Sequence, residues 1–176
     1  CVNGISKDSR EVKKGYLFFM TKNNRSYLEE AKKKGAEIVV TDLDDPISVD
    51  CLIRVADIGK TMGQIASRFC GEPSKYMFIT GITGTNGKTT TSFLIDSVLR
   101  EAGFKSGLIG TILHRYDGNY IKPKNTTPGA IELQSILKEM KLTHTSHVTM
   151  EVSSHALDQA RVEGVHFDIC IFTNLS

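Results

Sequence analysis

Cysteine is sparse and scattered in this chain of 176 residues: Cys1, Cys51, Cys70 and Cys170 are too far apart for a C-x-x-C metal or redox pair. No secretory signal pattern precedes them, so reduced thiols in a cytoplasmic protein are expected. No run of about 18 apolar residues occurs, which excludes a transmembrane helix, and no membrane partner is expected. An excess of charge of one sign is also missing. The 22 Lys and Arg nearly balance 20 Asp and Glu, and the net charge of +2 points neither to nucleic acid nor to an anionic surface. The one dense basic run, Lys32-Lys33-Lys34, follows Glu29-Glu30 in an expected helix and reads as a solvated face. Internal repeats and low-complexity segments are absent. The chain opens at Cys1 without a methionine and stops at Ser176 straight after an apolar run, so a fragment of a longer protein is expected.

What remains is a composition near the globular norm, 40% hydrophobic and 24% charged, enough for one or two domains. Apolar runs of strand length alternate with helical patterns, which predicts an α/β fold with mainly parallel sheets. Strands are expected at Tyr16–Met20, Ile38–Thr41, Leu52–Val55, Tyr76–Thr80, Gly107–Gly110, His147–Val152 and Ile169–Thr173. Helices are expected at Tyr27–Lys34, Ile58–Cys70, Lys88–Ala102 and Ala130–Met140. In the third of these, Leu94, Ile95, Val98, Leu99 and Ala102 recur on one face, and Gly103 supplies the stop. Gly71-Glu72-Pro73-Ser74 breaks two periodic segments. The expected division is therefore a small N-terminal α/β domain, residues 1–72, and a nucleotide-binding α/β domain, residues 73–176, incomplete at its C-terminus.

The richest segment is Gly81-Ile82-Thr83-Gly84-Thr85-Asn86-Gly87-Lys88-Thr89-Thr90, set between an apolar strand-like run and an amphipathic helical one. It reads as a phosphate-binding loop. Glycines let successive backbone N–H groups turn toward one anion, a lysine meets the outer phosphates, and a hydroxyl can ligand Mg²⁺. Gly84, Gly87, Lys88 and Thr89 fill those roles, with Thr85, Asn86 and Thr90 completing the loop. The fit to G-x-x-x-x-G-K-[ST] is imperfect, because Ile82 stands where that pattern has its first glycine. The departure points to a particular branch of phosphate-loop enzymes.

Further along, His147-Val148-Thr149-Met150-Glu151 is a strand ending in a carboxylate, and Glu151 is placed either to hold Mg²⁺ beside the phosphates or to be an ordinary strand-end acid. Asn125-Thr126-Thr127-Pro128 offers an amide, two hydroxyls and a rigid turn, but Thr127 and Pro128 also fit a plain N-cap and first helical position. Ser153-Ser154-His155 invites a hydrolase reading that fails, since there is no G-x-S-x-G elbow. Asp8-Ser9-Arg10 fits a local side-chain-to-backbone turn.

Taken together, Gly84 to Thr90, Asn125 to Pro128, Met150-Glu151-Val152-Ser153-Ser154-His155-Ala156-Leu157, Gln159, Arg161 and Phe172 to Ser176 resemble the Mur ligases of peptidoglycan synthesis, most closely the UDP-N-acetylmuramoyl-tripeptide synthetase type. Asp8-Ser9-Arg10 followed by Gly15-Tyr16-Leu17-Phe18 resembles the start of the first domain of that type. The G-T-N-G-K-T loop is shared with other Mur-like amide ligases, whereas M-E-V-S-S-H-A-L is far more restrictive. A second Mur-like ligase, or a non-catalytic nucleotide-binding module, is the alternative.

The resemblance implies an ATP-dependent ligase that joins a diamino acid to UDP-N-acetylmuramoyl-L-alanyl-D-glutamate through an acyl phosphate, with a monomeric parent protein. It implies that Gly84–Thr90 hold ATP, that Lys88 and Glu151 are catalytic, and that Thr89 and Glu151 contact Mg²⁺. It further implies that Asn125, Thr126, Thr127, Ser153, Gln159 and Arg161 grip the sugar-nucleotide peptide, with Ser9 at the uridine diphosphate end. The loop after Met20 is shorter than is usual in the family. The family's D-H-L-D segment, modified lysine and C-terminal domain also lie beyond Ser176, so the isolated chain is expected to be inactive.

Overall fold

Tyr16–Met20 forms a strand whose Leu17, Phe18, Phe19 and Met20 are all buried, so this apolar run is a central strand covered on both faces. It belongs to the first of two compact units, Cys1–Met62 and Gly63–Ser176, in a computed structural model that describes residues 2–44 and 46–175. The first unit carries a wholly parallel sheet in the order β1 (Gly4–Ser6), β2 (Tyr16–Met20), β3 (Ala36–Thr41) and β4 (Cys51–Arg54). The short strand β1 was not expected from the sequence. Helix α1 (Leu28–Lys33) buries Ala31 in a core with Val12, Phe18, Met20 and Val39. Its basic face is exposed as expected, with Lys32 and Lys34 paired to Glu29 and Glu30 at 2.9 Å.

The division between the units falls inside α2 (Ile58–Phe69), ahead of the Gly71–Ser74 segment where the sequence breaks its periodicity. From Gly63 onward this helix is fastened within the second unit. Gln64 donates to Glu163 at 3.1 Å and Ser67 to the carbonyl of Gly164 at 2.9 Å, which outweighs the local punctuation.

The second unit holds a six-stranded sheet, in the order β10-β5-β9-β6-β7-β8. The elements are β5 (Phe78–Thr83), α3 (Lys88–Glu101), β6 (Ser106–Ile109), β7 (His114–Tyr116), β8 (Asn119–Ile121), α4 (Ala130–Leu142), β9 (His147–Glu151), α5 (Ser154–Asp158) and β10 (Ile169–Phe172). Strands β10, β5, β9 and β6 are parallel, and β7 and β8 add an antiparallel hairpin. The fold is thus α/β with mainly parallel sheets. The hairpin is an addition to the expected strands, and its signal was Asp117-Gly118, both left-handed at φ 46° and 76°. Strand β5 begins two residues later than expected because Pro73–Tyr76 closes a 3-10 turn, and it runs on through Gly81, against which the Phe167 ring packs.

Helix α4 buries Leu133, Ile136, Leu137 and Met140 against Ile79, Ile109, Val148 and Met150. Side chains alternate along β9, so Thr149 and Glu151 turn to the opposite face. That face sets Thr149 and Glu151 beside the buried Ile82 and Leu108, and its polar groups change the expectation for α3. Helix α3 buries Ser92 and Asp96, while Leu94 and Val98 of the expected apolar stripe are 62% and 68% exposed. Asp96 accepts from Ser106 at 2.7 Å and from Arg115 at 2.5 and 2.6 Å, so a charged strut from β6 and β7 seats the helix alongside the half-buried Ile95 and Leu99. Among the described residues no helix is long and apolar enough to cross a membrane, and Cys51, Cys70 and Cys170 are free thiols.

Candidate nucleotide-binding site

The segment between β5 and α3 takes the strand-loop-helix form that its sequence predicts. Gly87, at φ 85°, caps α3, and the first helical bond runs from Thr91 N–H to Gly87 O at 2.9 Å. The N–H groups of Lys88, Thr89 and Thr90 therefore precede the helix ladder at its positive end, where an anion is favoured. The Lys88 ammonium folds over the loop and donates to Gly84 O at 2.6 Å and Thr85 O at 3.2 Å. Thr85 and Asn86 are exposed at the loop's crest. Beside the loop, Thr89, Thr90, Phe93, Leu94 and Ile112 line an open cleft of about 350 Å³.

Glu151, at the carboxyl end of β9, is fully buried and sits at the centre of the site. Its Oε2 accepts from Thr89 Oγ1 at 2.8 Å and from Thr111 Oγ1 at 3.0 Å, and its Oε1 accepts from Thr111 N–H at 2.9 Å. A buried carboxylate needs such donors, and here it receives three. Parallel order explains the convergence: β5, β9 and β6 all end on the same side, so the loops after them meet. Thr111 was missed by sequence reasoning. Its signal was its place directly after the Gly107–Gly110 run, at the strand end where the same topology rule puts ligands.

The segment Asn125–Pro128 reaches the backbone of Glu151 and the Thr111 hydroxyl bonded to its carboxylate. Thr126 Oγ1 lies 3.1 Å from Thr111 Oγ1, and the fully buried Thr127 donates its hydroxyl to the Glu151 carbonyl at 2.9 Å while accepting from Ser153 N–H at 3.1 Å. Thr127 is therefore not a helix cap: Gly129 occupies that position and α4 begins at Ala130. Ser153 caps α5 instead, accepting from Ala156 N–H at 3.2 Å, and that short helix was not expected. Ser153 and His155 form no relay, as the missing nucleophile elbow implied. Arg161 donates to Thr127 O at 3.0 Å through one terminal nitrogen, and to Gln159 Oε1 at 3.0 and 2.7 Å through the other two. Asn125 is exposed beside this network.

Ser9 belongs to the other unit. It is buried and donates to Glu30 Oε2 at 2.7 Å, next to an Asp8 that binds Arg10 N–H at 2.9 Å, so the local turn read from the sequence is present. The Arg10 side chain bonded to Asp8 pulls its carboxyl down to about 2, and Lys34, then Ser9, lower the pKa of Glu30.

A glycine turn between strand and helix, closed by a strand-end carboxylate on a mainly parallel sheet, defines a domain of the phosphate-loop fold class. The chain belongs to the Mur ligase family, whose middle domain matches residues 82–176. It is 45% identical to the UDP-N-acetylmuramoyl-L-alanyl-D-glutamate--2,6-diaminopimelate ligase of Aquifex aeolicus, over 99% of this chain and 37% of that protein. The ligase of the same name from Geobacter sulfurreducens is 38% identical, over 99% of this chain and 35% of its own length. The chain thus spans little more than a third of these relatives. A solved structure of a ligase of that name superposes with a TM-score of 0.88 at 29% identity, covering 99% of this chain and 37% of that one. The MurF ligase of Thermotoga maritima in complex with ADP shares the fold, at a TM-score of 0.62 and 20% identity over 97% of this chain and 37% of that one.

Proposed function

We propose that this chain is the sugar-nucleotide and ATP-binding part of a ligase that adds a diamino acid to UDP-N-acetylmuramoyl-L-alanyl-D-glutamate. The observation that carries the reading is the position of Glu151. Its carboxylate meets Thr89 of the phosphate loop, and its carbonyl meets Thr127 of the segment to which the family resemblance gives the sugar peptide. One residue thereby joins the two halves of a phosphoryl transfer, whose barrier falls mainly through positioning and charge stabilisation.

In this reading the N–H groups at the start of α3 and the Lys88 ammonium bind the ATP phosphates, with Thr85, Asn86 and Gly84 shaping the loop. Thr89 Oγ1 and a Glu151 oxygen, 2.8 Å apart, are hard oxygen donors that fit Mg²⁺, which would neutralise phosphate charge there. Among the described residues no group of three or more His, Cys, Asp or Glu is placed for a metal, which agrees with an ion held largely by phosphate and water. The substrate carboxylate attacks the terminal phosphorus and ADP leaves. The amine then attacks the acyl carbon and expels inorganic phosphate. Arg161, Gln159, Ser153 and Asn125–Thr127 orient the sugar peptide, and Ser9 and its neighbours take the uridine end.

Calorimetric titration of the chain with ATP and Mg²⁺ tests the nucleotide site. Wild type is expected to bind, and Lys88→Ala to lose about tenfold or more in affinity with its melting temperature kept, since Lys88 bonds only loop carbonyls. Equal affinities would overturn the loop's role.

A further inference from the structure

We propose that Thr173 and Asn174, directly after β10, form a strap that sets the phosphate loop in its binding-competent shape. The strap bonds both the N–H and the carbonyl of Asn86 at the crest of the loop. Thr173 Oγ1 donates to Asn86 O at 2.6 Å and lies 3.2 Å from Thr83 O. Asn174 accepts Asn86 N–H on Oδ1 at 3.0 Å and Thr85 N–H on its own carbonyl at 3.0 Å, and its amide reaches Asn86 O at 3.3 Å. Gly84 closes the fit. A Cβ there would lie 2.1 Å from Thr173 Oγ1, and φ is 136°, so only glycine lets the strap approach.

These bonds divide the loop's donors by task. The N–H groups of Thr85 and Asn86 are turned toward the strap and away from an anion. The N–H groups of Lys88, Thr89 and Thr90 are left for phosphate. A flexible glycine turn would lose backbone freedom on binding an anion, an entropic cost that opposes binding. The strap meets that cost in advance, so Thr173 and Asn174 act as positioning residues through Asn86 without touching the nucleotide. The effect is reciprocal: nucleotide held by the loop stabilises the end of β10, which is the outer strand of the sheet among the described residues, and just past it the Thr173 N–H bonds Thr83 O at 2.9 Å.

The inference rests on the nucleotide-binding reading, and two measurements separate them. The first needs no nucleotide. Backbone hydrogen exchange is compared in wild type, Thr173→Val, Thr173→Ser and Asn174→Ala, and exchange at Thr85 and Asn86 is expected to rise in Thr173→Val and Asn174→Ala while the β5 and β9 amides keep their protection. The second is the affinity for ATP with Mg²⁺. It is expected to fall about tenfold in Thr173→Val and Asn174→Ala, and to stay within about twofold in Thr173→Ser, which keeps the hydroxyl. Unchanged exchange at Thr85 and Asn86 overturns the strap. So does wild-type affinity in Thr173→Val and Asn174→Ala, or a Thr173→Ser variant as weak as Thr173→Val. Wild-type chain that binds no ATP refutes the nucleotide site itself, and the exchange comparison still decides the strap.

Discussion

Thr89 Oγ1 and Glu151 Oε2 are 2.8 Å apart, although one opens a helix and the other ends a strand 62 residues later. The contact makes the carboxylate and the hydroxyl a single unit. Glu151→Gln is therefore expected to keep the fold and lose the dependence of ATP affinity on Mg²⁺. Titrations with and without Mg²⁺ check this: wild type should tighten about tenfold or more with the ion, the variant within about twofold. A variant that retains the full Mg²⁺ effect would remove Glu151 from the metal site.

Gly110 guards the same carboxylate from the β6 side. A Cβ at that position would lie 2.2 Å from Glu151 Oε1. Gly110→Ala should thus displace the carboxylate from Thr111 and destabilise the chain by about 1–3 kcal/mol, the range for overpacking. Thermal or urea unfolding measures the loss. A neutral Gly110→Ala would mean that the loop after β6 yields freely and that Thr111 does not fix Glu151.

Much of this site was legible in the sequence, because strand-loop-helix punctuation and a strand-end acid are local signals. The phosphate loop, Glu151 and most strands lie where periodicity put them. What escaped depends on partners far along the chain. Thr111 acquires its role from Glu151, 40 residues away, and Asn174 from Asn86, 88 residues away. The buried face of α3 escaped for a related reason. Apolar spacing marked Leu94, Ile95, Val98 and Leu99 alike, but the sheet beneath offers Ser106 and Glu151, so Asp96 turned inward, Leu94 and Val98 turned out, and Ile95 and Leu99 stayed half-buried. Tertiary polarity overrode amphipathic pattern.

His114 gives the chain a pH dependence with a definite sign. It is 1% exposed, its Nδ1 has no hydrogen-bond partner among the described residues, and burial pushes its pKa below the usual 6.5 despite the opposing charge of Glu132. The unfolded chain takes up a proton below pH 6.5 that the folded chain resists. The associated stability is complete above that pH and declines as pH falls through and below it, with a slope limited to about 1.4 kcal/mol per pH unit. Melting curves from pH 7.5 to 5 should fall less steeply for His114→Leu than for wild type. Parallel pH profiles would show that His114 takes up its proton as readily in the folded state as in the unfolded one.

Arg161 is tied at once to Gln159 and to the carbonyl of Thr127, whose hydroxyl holds the Glu151 carbonyl. Lysine lacks the planar fork needed to serve both partners, so Arg161→Lys should behave nearly as badly as Arg161→Ala. If the fork serves the sugar peptide, KM for UDP-N-acetylmuramoyl-L-alanyl-D-glutamate rises about tenfold or more in both variants of the active ligase, while KM for ATP moves within about twofold. The connection through Thr127 supplies the competing outcome. Were Arg161 chiefly a brace for Glu151, both KM values would rise together, and the assignment of Arg161 to the sugar peptide would fall. Steady-state kinetics with each substrate varied in turn separates the two.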